Sequence, residues 1–230
     1  VLGNSAVSTI KFSEGQGVEY LKAYKCPNIQ QLDIRNISKT LSDAILYDCD
    51  ALVGISFKNF AELKSVNLNA CNSMASINLS GCTALEEYAL SDNSAKSLDV
   101  SGCTSLKILR WTTTLDKLIH EGADAIETIG GGGYVTDFNF VGQKSLKIVQ
   151  DVGTANFNVS GCTNLESIGK LSNVTNLNVS NCPLIKTLDV SFTSSSQTYS
   201  FSGCPALETI YFKGIVSPCD LSPLSALKVF

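Results

Sequence analysis

The chain has 230 residues, 44% of them hydrophobic and 17% charged, which is enough apolar content for a core and argues against global disorder. Seventeen Lys and Arg against 21 Asp and Glu give a net charge of -4, so the basic footprint of a nucleic-acid binder is missing. A single histidine excludes multi-histidine metal sites, and no apolar run approaches the roughly 20 residues of a membrane-spanning helix.

Residues 1–20 are irregular and read as an N-terminal cap or the end of a preceding segment, with a strand over Ala6–Phe12. Val1 is not a start methionine, so either a leader has been removed or the gene begins earlier. Residues 1–17 lack the basic start and apolar stretch of a signal peptide. From 21 to 213 the chain repeats itself. Cys26, Cys49 and Cys71 are spaced by 23 and 22 residues. SINLSGCTALEEY (76–88) and SLDVSGCTSLKIL (97–109) then share apolar-x-apolar-Ser-Gly-Cys-x-x-Leu. Degenerate copies follow at Ala123 (LIHEGADAIETI) and Gln143 (FNFVGQKSLKIV). The motif returns in NFNVSGCTNLESI (156–168), NLNVSNCPLIKTL (176–188) and YSFSGCPALETI (199–210). Half-period copies stand at Ile37, Phe60 and Asn93. Residues 214–230 carry two prolines, fade from the pattern, and read as a C-terminal cap.

A period of 20–23 residues with two similar halves marks a solenoid. Each half reads as a short strand, a tight turn and an inward anchor. In Leu98-Asp99-Val100, alternation puts Leu98 and Val100 on one face and Asp99 on the other. Ser101-Gly102 supplies turn chemistry, and Cys103 and Leu106 return inward. No half offers the 10–12 continuous residues a helix needs. The expected fold is a β-rich right-handed solenoid, leucine-rich-repeat-like, of about nine or ten coils of about 21 residues, with parallel strands and little helix.

The motif LDVSGCTSL at this period resembles leucine-rich repeats of secreted and surface proteins of Bacteroidetes and other host-associated bacteria. The half-unit SGCxxLxxI is similar to the BspA-like repeat, although the Ile-Pro strand dipeptide of that repeat is absent. The resemblance covers residues 20–212. It implies export, to the extracellular space or to the cell surface through a lipid anchor upstream, and a binding role in adhesion.

Nine cysteines could signal disulfides or metal. Their spacing follows the coil and no CxxC occurs, so Cys26, Cys49, Cys71, Cys82, Cys103, Cys162, Cys182 and Cys204 read as a ladder of small buried side chains. Cys219 lies outside the ladder as an exposed thiol. His120 with Glu121 and Asp124 has no nucleophile motif beside it, and it aligns with core position Val100. Gly130–Gly133 lacks the Lys-Ser/Thr of a phosphate loop and reads as a loosened turn. Asp48 and Asp50 lack the spacing of a calcium loop and read as turn residues. Asn36, Asn158, Asn173 and Asn178 open Asn-x-Ser/Thr sequons, which carry little weight in a bacterial protein.

Two outward ladders remain. One is uniform: Asp33, Ser56, Asn78, Asp99, Ile119, Asn139, Asn158, Asn178, Ser200. The other is varied: Lys22, Ile45, Asn67, Ala89, Arg110, Gly130, Val149, Gly169, Asp189, Tyr211. Varied outward residues on a regular frame suit recognition, which makes Lys22, Asn67, Arg110, Asp189 and Tyr211 the candidate face. Trp111 points inward in this register. The expectation is a non-enzymatic, monomeric module without cofactor, with an unknown protein or glycan, host-derived, as partner. The alternative is a passive spacer that projects a neighbouring domain.

Overall fold

In a computed structural model, residues 6–193, 197–214, 221–222 and 224–228 are described. They wind into a parallel β-solenoid of about ten turns spaced by about 21 residues, as the period predicts. The one helical element among them is the 3-10 turn Arg35–Ile37. The chain divides into two compact units, Val1–Ala125 and Ile126–Phe230.

In the first unit each coil has two strands except the last, where Thr114–Leu115 stands between Ile108–Trp111 and Lys117–Ile119. The strand that follows the leucine anchor builds what we term the leucine sheet. Its members Tyr20–Tyr24, Asp43–Tyr47 and Ser65–Asn67 pair in parallel, as do Glu87–Leu90 and Ile108–Trp111. The opposite strands, Gly54–Ser56, Ser76–Asn78, Ser97–Asp99 and Lys117–Ile119, form the asparagine sheet. Thr9–Lys11 pairs with Gln31–Asp33, a shorter strand than the sequence suggested over Ala6–Phe12. Burial alternates along each strand: Leu21 and Ala23 are inside while Tyr20 and Tyr24 are outside.

The second unit differs. Thr128–Gly130, Ile148–Val149 and Ser167–Ile168 continue the leucine-sheet pattern, and Asp137–Asn139, Asn156–Asn158, Asn176–Asn178 and Thr198–Ser200 the asparagine-sheet pattern. A third sheet is added here. Tyr134–Val135, Val152–Gly153, Lys170–Val174, Thr187–Phe192 and Thr209–Lys213 lie side by side in it. The reading of two similar halves therefore holds only up to the last coil of the first unit, where Thr114–Leu115 already adds a third strand. In the second unit, the corner held in the first by Cys26, Cys49 and Cys71 is replaced by extended chain that buries Val135, Val152, Leu171, Val174 and Val190.

The corners explain the SGC motif. The residue before the anchor takes a left-handed conformation, φ +66° at Gly102, which glycine adopts without strain. The anchor amide then closes the turn, with Cys103 N–H donating to Val100 O at 3.1 Å. The uniform ladder supports the same turns. Asp99 Oδ1 accepts from Ser101 N (2.9 Å) and Oγ (2.6 Å), and Asn178 Oδ1 from Ser180 N (3.1 Å) and Oγ (2.7 Å). These side chains fold back on their own backbone as Asx turns.

The eight cysteines from Cys26 to Cys204 are buried thiols at 0–1% exposure, and they do more than fill space. Cys103 Sγ donates to Leu79 O of the preceding coil at 3.0 Å, and Cys182 Sγ to Val159 O at 3.1 Å. Those carbonyls also accept the anchor amides of their own coils, Cys82 N and Cys162 N, both at 3.1 Å. The thiol thus serves the second lone pair of a buried carbonyl. Asn93 confirms the logic: at a cysteine position, its Nδ2 donates to Leu68 O at 2.8 Å. Burial pushes Cys82 and Cys182 up to about 12 and Cys103 up to about 11, so they stay protonated at neutral pH. Cys49 is also raised, by the adjoining Cys71 thiol and by burial. Cys219 lies outside the described residues, as does most of the expected C-terminal cap.

Candidate functional site

On the first unit's leucine sheet, Lys22, Ile45 and Asn67 form one outward column, in register across three strands. Arg110 faces Ala89 in the adjacent pair. Two of these candidates have internal duties. Asn67 Oδ1 accepts from Asn69 N at 3.0 Å, an Asx turn on the varied side. Arg110 pairs with Glu87 at 2.9 Å, an exposed contact worth about 0–1 kcal/mol. Lys22, half-buried, is flanked by aromatic rings that the sequence reading overlooked. Tyr20 and Tyr24 lie two residues to either side on the same face, 62% and 43% exposed. Tyr47 stands opposite Tyr24, 40% exposed, with ring centroids 6.3 Å apart. Period-two alternation through Lys22 would have found Tyr20 and Tyr24.

In the second unit, Asp189 and Tyr211 are register partners on Thr187–Phe192 and Thr209–Lys213. Tyr211 is 57% exposed, while Asp189 approaches Lys213 Nζ at 3.5 Å. Val149 is a correction to the varied ladder. It pairs with Ile129 and is fully buried, and the outward place passes to Gln150, whose backbone lies against Gly130. The irregular Gly130–Gly133 run had hidden that one-residue offset. Gly131 N and Gly132 N both donate to Asp151 O, at 3.1 and 2.6 Å.

The remaining candidates take structural places. Trp111 is fully buried. His120 occupies the corner position of Val100, its carbonyl accepting Ala123 N at 2.9 Å. Asp50 Oδ1 accepts from Asn72 N at 3.1 Å and Nδ2 at 3.0 Å, and Asp48 has φ +58° in its turn. Among the described residues no group of three or more His, Cys, Asp or Glu is placed to hold a metal ion.

A second column was legible but missed. Four residues past each corner anchor, the charge alternates: Lys64, Glu86, Lys107, Glu127, Lys147, Glu166, Lys186, Glu208, Lys228. Neighbours pair as Lys107–Glu86 at 3.0 Å and Lys147–Glu127 at 2.8 Å, and Lys228 also pairs with Glu208. Hydrogen bonding to Glu127 raises Lys147, and hydrogen bonding to Lys228 lowers Glu208.

Residues 4–115 and 138–220 match the BspA-type leucine-rich repeat region, in six copies. The match covers well over half of the chain. This is a BspA-type leucine-rich repeat protein. The unmatched stretch, 116–137, is the coil in which Ala123 replaces the corner cysteine, although Lys117–Ile119 still pairs with Ser97–Asp99 there. No curated protein matches the chain. BspA-type repeats point to a protein-interaction or surface module, and the repeat family is typically non-enzymatic. No helix among the described residues is long and apolar enough to cross a membrane.

Proposed function

We propose that this BspA-type protein is an extracellular, non-enzymatic binding module that recognises a protein or glycan through the side of the coil built by its leucine-anchored strands. One observation carries the reading. Among the four strongly exposed aromatic side chains of the described residues, Tyr20, Tyr24 and Tyr47 stand on two paired strands of the leucine sheet, and Tyr211 stands on Thr209–Lys213, which follows Leu207. None stands on the asparagine-sheet strands, where Asn78, Asp99, Asn158 and Asn178 are spent on turns. Tyrosine offers large, rigid contact area with a polar tip and is enriched where interfaces concentrate their affinity. In the first unit Tyr20 and Tyr24 flank Lys22 along one strand and Tyr47 stands against Tyr24, so Lys22 adds a charge for orientation.

The test is a binding array of extracellular matrix proteins and glycans, probed with the purified full chain and two double variants. Tyr24→Ala/Tyr47→Ala should weaken a saturable protein ligand by about tenfold or more, as loss of a hot spot does. Arg110→Ala/Tyr211→Ala should have a smaller effect on that ligand, because Arg110 is already paired. An empty array with folded protein would overturn the reading in favour of a passive spacer.

A further inference from the structure

We propose that the second unit binds a neutral mono- or disaccharide in a glycine-floored cleft of its leucine-anchored strands. The proposal rests on the recognition reading above and names a ligand class for it. The cleft has a volume of about 430 Å³, within the range of about 300–1,000 Å³ typical of small-molecule sites. Its floor is bare backbone at Gly131, Gly132 and Gly169.

Packing enforces the bareness at Gly169, and a left-handed φ of +88° favours glycine at Gly132. A Cβ on Gly169 would lie 2.5 Å from Asp151 Oδ1 and 2.7 Å from Asp151 N. A Cβ on neighbouring Gly130, at φ +114°, would lie 3.0 Å from Gln150 O. Gly130 and Gly169, which stand either side of Gln150 in this outward column, therefore carry no side chain, and a ligand can approach the main chain there. Asp151 is held in place from two sides. Its Oδ1 accepts Lys170 N at 2.7 Å, and its carbonyl accepts Gly131 N and Gly132 N. A wall group fixed before binding loses little freedom when a ligand arrives.

The chemistry of the walls selects the ligand. The Asp151 carboxylate, the Gln150 amide and the Ser167 hydroxyl supply acceptors and donors for a ring of hydroxyl groups. Ile148, 40% exposed, offers an apolar surface for the C–H face of a sugar ring. No lysine or arginine is among the lining residues, so a sulfated, phosphorylated or sialylated ligand would meet a carboxylate without a counter-charge.

The experiment is saturation-transfer NMR on the full chain, using galactose, mannose, N-acetylglucosamine, lactose and maltose, with sialic acid and galactose 6-sulfate as charged comparators. At least one neutral sugar should bind saturably and the charged ones should not. Ser167→Phe, which fills the cleft from an exposed strand position, should weaken binding about tenfold or more, equivalent to about 1.4 kcal/mol. Asp151→Asn keeps an oxygen for Lys170 N and should weaken binding several-fold. Tyr24→Ala/Tyr47→Ala should leave it unchanged. No neutral sugar on the folded chain, or binding that survives both cleft variants, overturns the saccharide site. If a protein ligand is then still lost in Tyr24→Ala/Tyr47→Ala, only the saccharide assignment has failed. If that ligand is also missing, the recognition reading falls with it.

Discussion

The two units close coils of nearly the same length in different ways. Residues 20–93 turn the second corner tightly, with Lys25, Asp48, Ala70 and Asp92 in left-handed conformations and Cys26, Cys49, Cys71 and Asn93 pointing inward. The second unit spends the same chain length on an extra strand. There, backbone amides do what thiols and the Asn93 amide do in the first unit: Gly153 N donates to Gly133 O and Thr154 N to Ser172 O, both at 2.9 Å. A buried carbonyl in a coil needs a donor, and either a side chain at a corner or a neighbouring strand can supply it.

That contrast can be broken at its strongest point first. If the third sheet is part of the second unit's core, Leu171→Ala should cost about 2–5 kcal/mol in urea unfolding, the range for emptying a buried leucine site. At the first unit's corner the loss is polar. Asn93→Ala removes the bond to Leu68 O and the one from Ala95 N, both 2.8 Å, and should cost about 1–3 kcal/mol. Asn93→Cys should recover part of that cost, since it restores an inward donor.

The thiols shared by both units give a pH test. Cys82, Cys103 and Cys182 titrate at about 11–12 in the fold against 9.0 unperturbed, so the folded state holds its protons more tightly. Their contribution is fully present below pH 9 and is lost as pH rises towards 11–12. The urea midpoint should therefore stay level up to about pH 9 and fall above it. Cys103→Ala should reduce that fall, and an unchanged alkaline slope in this variant would contradict the assignment.

Backbone strain gives a smaller, signed comparison between the corner types. Gly102→Ala forces a Cβ into φ +66° and should cost about 1–2 kcal/mol. Ala70→Gly relieves φ +58° and should gain up to about 1 kcal/mol, read from the thermal midpoint. The smallest effect belongs to the charged column. Lys147→Glu places a carboxylate beside Glu127 and should cost less than about 1 kcal/mol, shrinking further in salt.

Much of this was written in the residues. The spacing of Cys82, Cys103, Cys162, Cys182 and Cys204, together with the Ser-Gly turn, specified coil length, strand direction and inward face, because each copy repeats the same local chemistry. The third sheet was not legible. Tyr134–Val135 and Val152–Gly153 are two-residue strands that carry no motif and exist only because neighbouring coils align them. The tyrosine cluster was missed because the outward face was sampled once per strand, at Lys22, when five-residue strands present three outward positions. The cleft was read as a loosened turn because it is made by missing side chains, whose effect depends on how closely Asp151 packs against Gly169.

The alternating column from Lys64 to Lys228 gives the solenoid a parity. Successive coils are odd or even, and each rests on its opposite. A coil that skipped one neighbour and stacked on the next would set Lys against Lys or Glu against Glu. Deleting a single coil from the gene leaves the same fault permanently, whereas deleting or duplicating two restores the alternation. Several coils share the SGC corner, and this exposed column is where the sequence counts them, in twos.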